Sequence, residues 1–201
     1  MEAHETKELI EQTEEAKHKS RNWTALIISI MAMILAINNV GGGNASKEAT
    51  RHNIEASNYY AFYQAKSIKQ HLLKLAVDRI DDESRNFPSR LKPNGPLGLI
   101  ALNALSDRKG QYVNEIARYE SDEKSGEGKK QLLEKAKEHE AERDHALKQD
   151  PWFDYAEGIL QIGIVLLSIS ILASMPVLTI VGVGLGLLGT AAMLNGFFLF
   201  L

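Results

Sequence analysis

His139-Glu140-Ala141-Glu142-Arg143 opens like the helical His-Glu-x-x-His motif of zinc peptidases. There, two imidazoles one turn apart hold the metal and the glutamate acts on its bound water. Arg143 stands where the second histidine is required, so the motif does not close. Glu142 and His145 share one helical face, and His71 could face them across a helical pair, where a bridging zinc site is conceivable. The ordinary account of all three is a solvated polar face. Gly182-Val183-Gly184-Leu185-Gly186-Leu187-Leu188-Gly189 has the glycine density of a nucleotide loop. Such a loop follows a strand and is answered by an acidic residue further on; this one lies within an apolar stretch. The chain has no cysteine, which excludes disulfides, thiolate metal sites and cysteine nucleophiles. No nucleophile, base and orienting group form a set. The residues therefore point to a protein that is not an enzyme, with no catalytic residue, cofactor or metal ligand to assign.

The charges are segregated, and this decides the class. Residues 1–22 hold 4 Lys/Arg and 6 Asp/Glu, and residues 41–157 hold 19 and 20. Trp23–Val40 and the 44 residues Gly158–Leu201 hold none. Two uncharged blocks in a chain of net charge −3 imply two solvents, water and lipid. Nothing in that balance suits a nucleic-acid partner.

Trp23–Val40 is about 27 Å long as a helix, enough to cross a hydrocarbon core of about 30 Å. Its leading segment is rich in glutamate and no small-residue cleavage site closes it, so it is expected to remain as an anchor. The C-terminal block would reach about 66 Å as one helix, twice the bilayer. Pro176 divides it, and Ala173-Ser174-Met175-Pro176 is predicted to be a tight turn. The spans are thus residues 23–40, 156–175 and 177–201, with a charged helix over 1–22. Trp23, Trp152 and Phe153 are placed as anchors at the membrane interface. Lys17, Lys19 and Arg21 before the first span outnumber Lys47 and Arg51 after it. This sets the N-terminus in the cytoplasm and residues 41–155 outside.

Residues 41–155 are expected to form a long antiparallel helical hairpin, coiled-coil-like, between spans 1 and 2. Gly41-Gly42-Gly43 is taken as a flexible joint. Ile54, Ala61, Ile68 and Leu75 recur every seven residues, with Asn58, Ala65, Leu72 and Arg79 between them, giving a 3-4 seam. Tyr59, Tyr60, Phe62 and Tyr63 are assigned to packing between helices. The outgoing helix should end near Asp82. The tip occupies residues 84–105, with Pro88, Pro93, Gly95 and Pro96 in a loop and Leu97–Leu105 capping the pair. Ser106 or Asp107 starts the return, Ser125-Gly126-Glu127-Gly128 interrupts it, and Asp150-Pro151 marks the junction with span 2. Outgoing residues 46–82 and returning residues 107–149 make arms of similar length, roughly 55–65 Å.

Tyr59–Leu73 (YYAFYQAKSIKQHLL) and Ala141–Lys148 (AERDHALK), in this order of span, helical region and terminal hairpin, resemble a bacterial membrane-protein family whose domain has no known function. The resemblance covers nearly the whole chain and is most specific over Gln64–His71. It implies an inner-membrane protein of bacteria and carries over no catalytic residue.

The chain is accordingly an all-α membrane protein with three transmembrane helices. The expected function is that of a non-enzymatic membrane scaffold that homo-oligomerises. The expected helix-packing and oligomer interface comprises Ile54, Ala61, Ile68 and Leu75 on the hairpin and Gly182, Gly186 and Gly189 on span 3, where GxxxG spacing permits close helix approach within the terminal hairpin or between copies. Expected partners are the lipid bilayer, further copies of the chain and other membrane subunits. The alternative is a pore-forming or accessory subunit of a transport or respiratory complex, its path lined by Asn38, Asn39, Ser168, Ser170 and Asn195.

Overall fold

The computed structural model describes residues 2–86 and 95–200, with side chains at 14, 15 and from 18 onward. Pro88 and Pro93 of the expected tip loop lie outside the described residues. Among the described residues four helices follow in order: α1 (Glu2–Arg85), α2 (Pro96–Glu120), α3 (Lys129–Ala173) and α4 (Pro176–Phe198). Among the described residues there is no strand. The protein is all-α, and α1, α3 and α4 each carry a stretch long and apolar enough to cross a membrane.

Local chemistry accounts for most of the boundaries. Gly95 caps α2 in an extended conformation and Pro96 takes its first turn, where a missing N–H costs nothing. The apolar Leu97–Leu105 is therefore the opening of α2. The return begins at Pro96, ten residues before Ser106. The outgoing helix reaches Arg85, three residues beyond Asp82. Glu120 ends α2 and Lys129 begins α3. Between them Gly126 adopts φ +67°, a left-handed backbone that glycine takes without strain. Ser174 (φ 52°) and Met175 form the α3–α4 turn, with Pro176 at the first position of α4.

One expectation is overturned along α1. Gly41-Gly42-Gly43 is not a joint: all three residues are helical within α1. A glycine in a helix costs about 1 kcal/mol relative to alanine, and at Gly41 and Gly42 close packing offsets that cost. A Cβ on Gly41 would stand 2.7 Å from both Phe153 Cε1 and Phe197 Cζ. The missing side chain is the space those rings occupy.

The chain divides into two compact units. Unit 1 comprises residues 1–50 and 143–201; unit 2 comprises residues 51–142. In unit 1, Met31, Leu160 and Leu167 form one buried cluster, and Ala45, Phe153, Ala156 and Met193 a second. In unit 2, α1 packs first on α2 and then on α3, in antiparallel sense. Asp81 meets Lys109, Gln70 meets Glu120, and His52 meets His139.

The face of α1 that makes these contacts is not the expected seam. It runs His52, Ala56, Tyr59, Tyr63, Lys66, Gln70, Leu73, Val77 and Ile80, every one buried or half-buried. Its steps alternate four and three, so the heptad is present, shifted by two residues. Ile54, Asn58, Ala61, Ala65, Ile68, Leu72, Leu75 and Arg79 are all exposed. Two residues of offset rotate a helix by about 200°, so α1 carries two 3-4 stripes on opposite sides. The mixed polar and aromatic stripe packs within the chain; the more aliphatic one faces outward.

Candidate functional site

Two clusters of polar side chains lie along the seam of unit 2. The first joins α1 to α3. His52 and Glu55 lie three residues apart on one face of α1, and His139 enters between them from α3. His52 Nδ1 and His139 Nδ1 are 2.8 Å apart, and His139 Nε2 is 3.0 Å from Glu55 Oε2. Arg51 Nη2 lies 3.1 Å from His52 Nε2.

Those contacts determine the proton positions. Arginine only donates, so His52 Nε2 accepts and the ring proton sits on Nδ1. His52 Nδ1–H then donates to His139 Nδ1. The proton of His139 is left on Nε2, where it donates to the Glu55 carboxylate. The result is a directed chain from Arg51 through two neutral imidazoles to Glu55, with every ring nitrogen satisfied. Tyr59 stacks on His139 with centroids 5.4 Å apart and planes 12° from parallel. Lys135 Nζ lies 5.7 Å from the Tyr59 ring centre. Beside them Tyr60 Oη donates to Glu140 Oε2 at 2.9 Å. His52, Glu55 and His139 are all half-buried, and each offers a metal-ligating atom within 4.8 Å of the others'.

The second cluster lies where α2 gives way to α3. Gln70, 5% exposed, donates to the Ile116 carbonyl at 3.1 Å and to Glu120 Oε2 at 3.0 Å. Lys129 Nζ donates to Gln70 Oε1 and to Glu120 Oε2. The Gln70 amide, then the Lys129 ammonium, hold the Glu120 carboxyl below its ordinary range. Asp122 in the following turn is also held low, first by the backbone N–H of Ser125.

The histidines weighed in the sequence do not meet. His71, Glu142 and His145 are all exposed. His71 adjoins Gln70, whose partners are Ile116, Glu120 and Lys129, far along the arm from Glu142. Sequence reasoning missed His52. Its signal was the i,i+3 pair His52/Glu55, which acquires meaning only once the register of α1 against α3 is known.

In unit 1 the glycine stripe of α4 packs against the chain's own helices. A Cβ on Gly182 would lie 2.7 Å from Leu167 Cγ, one on Gly186 2.8 Å from Met31 Sδ, and one on Gly189 2.7 Å from Leu160 Cγ. These glycines let α4 approach α1 and α3, so this face is filled without a second copy. Phe153, expected at the membrane interface, is 3% exposed and sits among Gly41, Gly42 and Gly196. Helix packing claims it because those glycines leave a ring-sized space. Trp23 is 59% exposed and Trp152 half-buried. Of the polar residues in the apolar helices, two serines bond close by in sequence and one asparagine reaches across to α3. Asn38 Nδ2 donates to the Phe153 carbonyl at 2.9 Å, Ser168 to the Ile164 carbonyl, and Ser170 to the Met175 carbonyl, beside Thr179. Asn195 is buried and Asn39 exposed. Asn38 and Asn39 also line a cleft with Ser46, Asp150, Asp154 and Glu157. Burial first, then the charge of Asp154, raises the Asp150 carboxyl above its ordinary value.

No curated protein and no solved structure matches the chain. The profile of one family matches residues 20–199, all but the two ends. The chain belongs to that family, described, as the resemblance implied, as a domain of unknown function (DUF4337).

Proposed function

We propose that the protein is a membrane-anchored helical scaffold that assembles with copies of itself through the outward stripe of α1. The observation that carries this is the exposure of Ile54, Ile68, Leu72 and Leu75, at 55%, 63%, 59% and 46%. These residues repeat with 3-4 spacing on the side of α1 that packs against no helix of unit 2. A stripe of that period is the geometric complement of another stripe of the same period, and a second copy is the partner sure to carry one. Exposed apolar rows of this length mark interaction surfaces in soluble regions.

In this proposal the apolar stretches of α1, α3 and α4 cross a bacterial inner membrane. The N-terminus lies in the cytoplasm and residues 41–155 in the periplasm, which leaves the stripe in water and in need of cover. Glycine packing within unit 1 supports a compact membrane foot, with association left to unit 2. The hydrogen bonds of Asn38, Ser168 and Ser170 to backbone within the chain favour a scaffold over a pore.

The test uses the absence of native cysteine. Ile68→Cys in membranes is expected to give intermolecular disulfides under mild oxidation. Ile68→Glu with Leu75→Glu is expected to convert the detergent-solubilised oligomer to monomer with helicity unchanged. A wild-type protein that is monomeric in mild detergent, at concentrations well above micromolar, would overturn the proposal.

A further inference from the structure

We propose that His52, Glu55 and His139 form a divalent transition-metal site, of the class that takes zinc, clipping α1 to α3 within unit 2. Two imidazole nitrogens and one carboxylate oxygen are an ordinary donor set for zinc, with the fourth position left to water. Oxygen-seeking calcium and magnesium have little use for two imidazoles. The spacing suits the ion. Zinc bonds of about 2.0–2.2 Å place tetrahedral ligand atoms roughly 3.4 Å apart. The closest imidazole nitrogens are 2.8 Å apart, and the three ligand atoms lie within 4.8 Å of one another. Those separations bracket the required one, and Glu55, now against His139 Nε2, would turn toward the ion.

The hydrogen-bond chain shows how an ion would enter. One exchangeable proton, on His52 Nδ1, lies between two nitrogen atoms that both become lone-pair donors once it leaves. A metal ion takes its place as the ring proton moves to His52 Nε2, so His52 binds as a neutral imidazole. The exposed Arg51 side chain then swings away from His52 Nε2. Tyr59, stacked on His139, fixes that ring and shields one side of the site. The ligands come from residues 87 apart in sequence. Bound metal therefore stabilises the folded arm by mass action, in proportion to its concentration over Kd.

Full-length protein in mild detergent, purified through a tag without histidine, would be titrated with Co2+ and the visible d–d absorption followed, with Zn2+ as competitor. Wild type is expected to give the intense bands of a tetrahedral site, saturating at one ion per chain and displaced by Zn2+. His52→Gln and His139→Gln are each expected to weaken binding at least tenfold, and Glu55→Gln by a similar factor. His145→Gln, at an exposed position, is expected to bind as wild type. Far-UV circular dichroism reports whether each variant folds; if a histidine variant does not, Glu55→Gln carries the test. Absence of tetrahedral bands in wild type would overturn the proposal. So would binding unchanged in folded Glu55→Gln and either histidine variant, which would place the ion elsewhere, as at Asp150, Asp154 and Glu157.

Discussion

Lys129 Nζ donates to Gln70 Oε1 at 3.0 Å, so the first residue of α3 is tied to a buried amide of α1. The same amide holds the last turn of α2 through Ile116 and Glu120. One glutamine thus joins three helices at the point where the returning arm is broken. The Lys129 ammonium, 13% exposed, also lies 5.5 Å from the Tyr63 ring centre.

Gln70→Ala should therefore be costly. It removes three hydrogen bonds, to the Ile116 carbonyl, Glu120 and Lys129. Each such bond contributes about 0.5–1.5 kcal/mol net, and Lys129 and Glu120 remain paired with each other. Gln64→Ala, at an exposed position of the same helix, should stay within about 0.5 kcal/mol of wild type. Thermal melts in detergent compare the two; equal midpoints would remove Gln70 from its role.

Acid should act on this junction and on Asp150 in opposite directions. The Glu120 carboxyl is depressed by Gln70 and then by Lys129. Its contribution is complete above the unfolded-state value and is lost as pH falls through the lower folded value. Asp150 is raised, by burial first and by Asp154 second. Its ionised form therefore weakens the fold at neutral pH, and that penalty fades as pH falls through the raised value. Glu120→Gln is expected to lower the melting midpoint at pH 7, with the deficit shrinking below the ordinary glutamate range. Asp150→Asn is expected to raise it at pH 7, with the gain shrinking toward acid. Melts at several pH values check both signs.

Charge and apolar length made the helical class and the α3–α4 turn legible, because Pro176 and an uncharged block leave few alternatives. The packing face of α1 was not legible. Apolar periodicity selects the stripe through Ile54, Ile68 and Leu75, yet the paired stripe runs through His52, Tyr59, Tyr63 and Gln70. In a thin helical pair, a seam of aromatic rings and hydrogen-bonded polar groups stays half-buried and satisfied, so hydropathy does not single it out. The Gly41–Gly43 run misled for a related reason. Glycine signals freedom when nothing is near, and close approach when Phe153 and Phe197 are, and only tertiary contacts separate the two. The His52–His139 pair needed the register between residues 87 apart.

The topology has its own test. Ser125 is exposed in the turn between α2 and α3, and Ser125→Cys would be the sole thiol of the chain. An impermeant maleimide is expected to label it in intact spheroplasts, because residues 41–155 are proposed to be periplasmic. Labelling only after lysis would invert the orientation.

Gly41 and Gly43 should respond to alanine with opposite signs, although they are two residues apart in one helix. Both substitutions recover about 0.8–1 kcal/mol of helix propensity. At Gly43 a Cβ meets nothing within 4 Å, so Gly43→Ala should keep that gain and raise the midpoint. At Gly41 the Cβ would lie 2.7 Å from the edges of Phe153 and Phe197. The two rings pack edge to face with centroids 4.9 Å apart, and Phe153 has little room to retreat at 3% exposure. Overpacking of this kind costs about 1–3 kcal/mol, which exceeds the propensity gain, so Gly41→Ala should lower the midpoint. Gly41→Ala with Phe153→Leu should recover part of the loss, since the smaller side chain vacates the space the new methyl takes. A midpoint for Gly41→Ala as high as that of Gly43→Ala would mean that α1 does not press on Phe153, and the glycine run would revert to a simple joint.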